Sequence, residues 1–110
     1  MGTALEPVRL DALTRLGRAL ADPHRCQILL LLLDAPAYPA ELTAALGLTK
    51  QGTSNHLACL RGCGLVRTVP EGRRVRYELA DEHLAHALQD LLAVVPGSEA
   101  CEVREVRERR

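Results

Sequence analysis

Aromatic side chains are almost absent from this chain: there is no Trp and no Phe, and only Tyr38 and Tyr77. An interior built under that restriction must consist of Leu, Val and Ala, which suits packed helices. No apolar run approaches the roughly 20 residues needed to cross a bilayer. The N-terminus, with Glu6 and Arg9 among scattered leucines, lacks the apolar core of a signal peptide. A cytoplasmic protein is expected, and there the four cysteines are ligands or inert core thiols, because reducing compartments keep thiols free. Net charge is absent too: 14 basic residues balance 14 acidic ones, which argues against a nucleic-acid partner when the chain is taken whole. There is no internal repeat, no second domain and no low-complexity tract. A chain of 110 residues, 47% hydrophobic, fits one compact domain, and domains this small bury proportionally little surface and often dimerise.

The charge is balanced but unevenly distributed. Between Lys50 and Arg76 stand Lys50, Arg61, Arg67, Arg73, Arg74 and Arg76 against the single acid Glu71, a local excess of five positive charges. Such clustering is the footprint of a phosphate-contacting face; taken alone, it also fits an ordinary solvated surface.

Leu10, Leu13, Leu16 and Leu20 recur at helical spacing and predict an amphipathic helix from Val8 to Ala21. Asp22 can cap and Pro23 suits a first helical position, so a second helix is expected from Pro23 to Leu33, largely buried through its run Ile28 to Leu33. Asp34-Ala-Pro36 breaks the chain before a short third helix, Pro39 to Leu46, which Gly47 stops. Thr49 offers a cap for a fourth helix running to Cys63 and ended by Gly64. Helix, short Gly-containing turn and helix is the helix-turn-helix spacing. Leu65 to Val69 and Arg74 to Leu79 read as a hairpin, a basic wing turning at Glu71-Gly72. From Asp81 a last helix carries Leu84, Leu88, Leu91 and Val95 as an apolar stripe, until Pro96-Gly97. With the first helix it is the expected dimer surface. The organisation is therefore a winged helix-turn-helix domain over residues 1–97, mainly α with a small β-hairpin and forming a helical homodimer, followed by a flexible tail over 98–110.

Cys59 and Cys63 lie four residues apart on the fourth helix. Side chains at that spacing share a face with Cβ atoms roughly 5 to 6 Å apart, which lets two thiolates grip one soft ion. A disulfide needs Cβ atoms at roughly 3.5 to 4.5 Å, so oxidation would distort the helix. Buried structural thiols are the bland alternative, and Cys26, beside Ile28 on the second helix, is read that way. His56 precedes Cys59 by three residues, but no orienting group or oxyanion-forming glycine elbow accompanies the pair, so an enzyme is not expected. His24, His83 and His86 are read as surface residues.

On the same helix Leu57 and Leu60 should pack inward, leaving Lys50, Gln51, Thr53, Ser54, Asn55 and His56 towards solvent or DNA. Gln51, Thr53, Ser54, Asn55 and His56 are the candidates for base edges; Asn and Gln can bridge adenine, while Ser and Thr are less selective. Lys50, Arg61, Arg73, Arg74 and Arg76 would neutralise phosphates. Two such helices in successive major grooves about 34 Å apart predict a palindromic operator.

The order of elements, with Gly17-Arg-Ala-Leu-Ala-Asp-Pro-His-Arg-Cys-Gln-Ile-Leu29, Ser54-Asn-His-Leu-Ala-Cys-Leu-Arg-Gly-Cys-Gly-Leu-Val66 and Glu71-Gly-Arg-Arg-Val-Arg-Tyr77, resembles the ArsR/SmtB family of winged-helix metal-sensing repressors over Leu10 to Val95. The family's metal sites differ by branch. A Cys-x-Cys before the helix-turn-helix would fall on Tyr38, Pro39 and Ala40, and is absent. A site on the last helix would begin with Asp81 and His83, but its second half meets Val94 and Gly97. The cadmium- and lead-sensing branch, with Cys-x-x-x-Cys on the recognition helix and a further Cys beyond the last helix, is similar through Cys59, Cys63 and Cys101. That resemblance implies Cd(II) or Pb(II) as effector, with Zn(II) a lesser candidate, and derepression of a metal-export gene. Soft ions take three or four donors; Cys101, past the break at Pro96-Gly97, would fold back to supply the third. The expected function is a repressor that binds a palindromic operator as a dimer and is released on metal binding. The competing readings are a winged-helix regulator answering to thiol redox state or to no small effector, and a small Cys-dependent enzyme.

Overall fold

The computed structural model describes residues 6–94. Its elements are α1 (Pro7–Leu20), α2 (Pro23–Asp34), α3 (Pro39–Leu46), α4 (Lys50–Gly62), β1 (Val66–Glu71), β2 (Arg74–Leu79) and α5 (Glu82–Val94). The chain divides into two compact bodies, one running to Ala80 and the other beginning at Asp81. In the second, α5 is started by Asp81, whose Oδ1 accepts the Leu84 N–H at 2.9 Å. The incomplete half-motif at Asp81 and His83 thus has a carboxylate oxygen engaged in capping.

Proline opens three of the helices of the first body, at Pro7, Pro23 and Pro39, where its missing N–H costs nothing. The joint between α1 and α2 is closed by side chains. Asp22 Oδ1 accepts the N–H groups of His24 and Arg25 at 2.8 and 3.1 Å. Arg25 reaches back to the final turn of α1, donating to the carbonyls of Ala19 and Arg18 at 3.0 and 2.8 Å. The Cys26 thiol donates to the Leu20 carbonyl at 3.1 Å, and burial, reinforced by the Asp22 charge, raises its pKa.

The core is aliphatic. Ile28, Leu29 and Leu32 of α2, Leu42 of α3, Leu57 and Leu60 of α4, and Leu65 and Val66 at the wing's root are buried together with Ala19. Burying each large aliphatic side chain contributes about 1.5 to 3 kcal/mol, and Leu57 and Leu60 point inward as their spacing requires. Helix α1 behaves otherwise. Its only buried residue is Ala19, while Val8, Leu10 and Leu13 are 79%, 58% and 68% exposed. Among the described residues nothing covers these three side chains, whereas Leu16 and Leu20 are half-buried.

Gly47, at φ 66°, turns the chain out of α3, and the Leu48 N–H bonds back to the Thr43 carbonyl at 3.2 Å. Thr49 then caps α4, accepting the Gly52 N–H at 2.9 Å. Thr53 corrects an expectation: instead of facing DNA it is 1% exposed. Its hydroxyl pairs with that of Thr43 at 2.7 Å and bonds the Thr49 carbonyl at 3.1 Å, so it locks the two helices together. Thr53→Ala strands the Thr43 hydroxyl in a half-buried position, an expected loss of roughly 1 to 3 kcal/mol. In urea unfolding the midpoint should fall with the slope unchanged; an unshifted midpoint would contradict the role given to this lock.

The wing pairs Val66 with Leu79 through Glu71 with Arg74, leaving Gly72 and Arg73 as a two-residue loop. The turn thus sits one residue later than expected. Gly72 has φ 64° and no non-glycine residue has positive φ among the described residues, which fits a type II′ turn with Gly first. Tyr77 and Ala37 exchange backbone hydrogen bonds at 2.8 and 3.0 Å, and the Tyr38 hydroxyl donates to Glu71. The wing is thereby tied to the segment that enters α3.

Candidate functional site

The outer face of α4 presents Lys50, Gln51, Ser54 and Asn55 to solvent, with His56 half-buried at its edge. Gln51 Nε2 donates to Asn55 Oδ1 at 2.8 Å. This pairing uses the Gln51 amide N–H and the Asn55 carbonyl, and leaves the Gln51 carbonyl and the Asn55 amide N–H groups as the acceptor and donor pair that an adenine edge requires.

Cys59 stands in the last turn of this helix and Cys63 is its C-cap, whose N–H bonds the Cys59 carbonyl at 3.0 Å. The end of the helix is set by Gly64 at φ 79°. Gly64 N–H bonds the Arg61 carbonyl and Leu65 N–H the Leu60 carbonyl, both at 3.0 Å, the paired bonds of a Schellman end. Leu60 and Leu65, buried beneath it, anchor that end in the core. Arg15 from α1 adds a long contact to the Cys63 carbonyl at 3.5 Å. Both thiols are free; Cys59 is exposed and Cys63 half-buried. Two sulfurs on one helical face fit a soft cation as part of a donor set. An intact helix holds their Cβ atoms roughly 5 to 6 Å apart, beyond disulfide range. The expected third ligand, Cys101, and the tail 98–110 lie outside the described residues.

The basic surface divides into two groups. Lys50, Arg61, Arg73 and Arg74 are exposed, and among the described residues none of them has an acidic partner within ion-pair distance. The Arg74 guanidinium lies over the Tyr38 ring at 3.5 Å, a cation–π contact that presents it beside the entry to α3. Arg76, expected on the phosphate side, is instead drawn into the wing, at 2.7 Å from Glu71 and 3.8 Å from Glu78. Arg67 likewise clasps its cross-strand neighbour Glu78 at 2.5 Å. Neither Tyr38 nor Glu78 stands out in the sequence as a partner for these arginines. Glu78 faces Arg67 across the ladder, a signal that exists only once the register is known. Hydrogen bonding to Glu71, then burial, raises the Tyr38 pKa.

A second constellation joins α2 to α4. The rings of His24 and His56 lie 5.5 Å apart, tilted by 47°, and donor atoms of Asp22, His24 and His56 all fall within 4.8 Å of one another. The backbone N–H of Arg25 holds the Asp22 carboxyl below the usual carboxylate range; partial burial opposes this, and the His24 N–H and the charge of His56 support it.

Residues 22–68 match the family described as bacterial regulatory protein, arsR family. The chain is 64% identical over 88 residues to the HTH-type transcriptional regulator CmtR of Mycobacterium tuberculosis, covering 80% of this chain and 75% of that protein. It belongs to the arsR family. Within it, this arsR-family chain is also 43% identical over 84 residues to the HTH-type transcriptional repressor SmtB of M. tuberculosis, covering 76% of this chain and 62% of that one. Among solved structures it resembles the cadmium metal-sensor CmtR from M. tuberculosis, with TM-score 0.64 and 65% identity over 74% of this chain and 85% of that one. A homodimeric winged helix-turn-helix DNA-binding domain from Mycobacterium bovis matches with TM-score 0.73 and 33% identity, over 84% and 90% of the two chains. The arsR-family chain is thus a helix-turn-helix transcriptional regulator with a winged fold. No helix among its described residues is long and apolar enough to cross a membrane.

Proposed function

We propose that this regulator is a metal-responsive repressor. It acts in the cytoplasm as a homodimer, binds a palindromic operator, and leaves it when Cys59, Cys63 and Cys101 hold Cd(II) or Pb(II) as thiolates. The observation that carries this reading is the placement of two free thiols, Cys59 in the last turn and Cys63 at the C-cap, on the helix that also displays Gln51, Ser54 and Asn55. The cadmium-sensing relative supports the choice of ion, and the softness of sulfur donors favours it over Mg or Ca. The uncovered stripe of Val8, Leu10 and Leu13 on α1 supports a dimer, as does the homodimeric neighbour from M. bovis.

In this reading α4 enters the major groove. Gln51, Ser54, Asn55 and His56 meet base edges, and Lys50, Arg61, Arg73 and Arg74 meet phosphates. The work is divided by chemistry, so that amides read, guanidinium and ammonium groups position, and the thiolates close on the effector. Closing a third thiolate over the end of α4 draws the tail against the reading helix and favours a dimer geometry that no longer matches the groove spacing. Linkage makes the effect reciprocal, with couplings of typically about 1 to 3 kcal/mol, or about 5- to 150-fold in affinity. Operator titration at fixed salt, with and without Cd(II), tests this. Weaker binding by a factor in that range is expected; equal affinities defeat the reading.

A further inference from the structure

We infer that Asp22, His24 and His56 form a second, sulfur-free site for a borderline divalent transition cation such as Zn(II), Co(II) or Ni(II), fastening the first turn of α2 to the reading helix. The three donors converge from two elements: Asp22 and His24 sit at the start of α2, and His56 is half-buried on α4. Their ligand atoms lie within 4.8 Å of one another. Bonds of about 2.0 to 2.1 Å to nitrogen and oxygen require donor separations of roughly 3.4 Å in a tetrahedron, a gap that side-chain rotation closes.

The carboxylate is already oriented to serve as a ligand. Asp22 Oδ1 takes both capping hydrogen bonds, and among the described residues Oδ2 has only the Arg25 guanidinium, at 4.0 Å. That guanidinium is itself committed to the carbonyls of Ala19 and Arg18. Backbone N–H groups that hold a carboxylate in place act as the outer shell does in known metal sites. The imidazoles are neither stacked nor hydrogen-bonded to another side chain among the described residues, and their 5.5 Å centroid separation at a 47° tilt lets one nitrogen of each face a common point. Two imidazoles and one carboxylate, with one position left for water, suit Zn, Co and Ni; thiolates suit Cd and Pb. The chain would then sort cations by softness between two places on one helix, with His56 withdrawn from DNA whenever this second site is filled.

The test uses Co(II) on the full-length chain carrying Cys59→Ser, Cys63→Ser and Cys101→Ser, so that failure of the thiolate reading cannot be mistaken for failure of this one. Stoichiometric binding with d–d absorption and no sulfur-to-cobalt charge transfer is expected. His24→Gln, an exposed substitution, and His56→Gln, checked for retained helical circular dichroism, should each weaken binding by more than the about 10- to 100-fold that loss of an outer-shell partner costs. In the wild type, one equivalent of Zn(II) should shift the ring resonances of both histidines. Absence of Co(II) binding in the triple variant, unchanged binding in His24→Gln, or a charge-transfer band from Cys26 would each overturn the assignment.

Discussion

Cys59→Ser is expected to bind operator as the wild type does without metal and to lose the response to Cd(II). Cys59 is exposed on α4, so exchanging sulfur for oxygen removes no packing and leaves the helix and its Schellman end intact. The substitution replaces a soft donor by a hard, protonated one and takes the proposed three-sulfur set down to two. The about 5- to 150-fold weakening of operator binding expected for the wild type should therefore shrink to about onefold. Cys63→Ser should behave alike, whereas Cys26→Ser should keep the response, since that thiol is engaged with the Leu20 carbonyl. Fluorescence anisotropy on labelled operator, at one salt concentration and with free Cd(II) buffered, reads all of these. A full Cd(II) response surviving in Cys59→Ser would remove the thiolates of α4 from the switch.

Removing the unpaired wing charges, Arg73→Ala with Arg74→Ala, should weaken operator binding by about 10³-fold at physiological salt. Each neutralised phosphate releases counterions, contributing about 0.9 to the slope of log affinity against log salt. Taking away two cations per subunit of a dimer lowers that slope by about 3.6. Arg76→Ala makes the contrast. Its guanidinium is occupied by Glu71 and Glu78, so its loss should disturb wing stability more than the salt slope. Arg74 also leaves the Tyr38 ring, so Arg73→Ala alone, which touches no such partner, should account for about half of the change in slope. A slope that stays put in the double variant would move the wing off the phosphates.

Most of the architecture is legible in the sequence because its signals are local. Asp22-Pro23, Gly47, Thr49 and Gly64 punctuate helices by their own conformational preferences, and α3 falls where that punctuation puts it. The hairpin turn departs from the sequence expectation by one residue, since Glu71 is the last paired residue of β1 and Gly72 the first of the loop. Thr53 departs for a different reason. Its position on α4 suggests solvent, but whether a threonine hydroxyl faces out or bonds a neighbouring helix depends on the crossing of α3 and α4, which no local pattern encodes. Arg76 shows the same limit, because its partners come from across the ladder and along its own strand. The meeting of His24 with His56 is the furthest from local: one opens α2, the other sits on α4, and only the packed fold brings their rings together.

The backbone exchange between Ala37 and Tyr77, the Tyr38–Glu71 bond and the Thr43–Thr53 lock weld wing, turn and helices into a single piece. A body of that kind transmits displacement without bending. In the proposed switch, an effector gripping the end of α4 would therefore have little to reshape inside one protomer, and its leverage would lie in the span between two such bodies, as a caliper loses its fit when the jaws stay true but the gap between them changes.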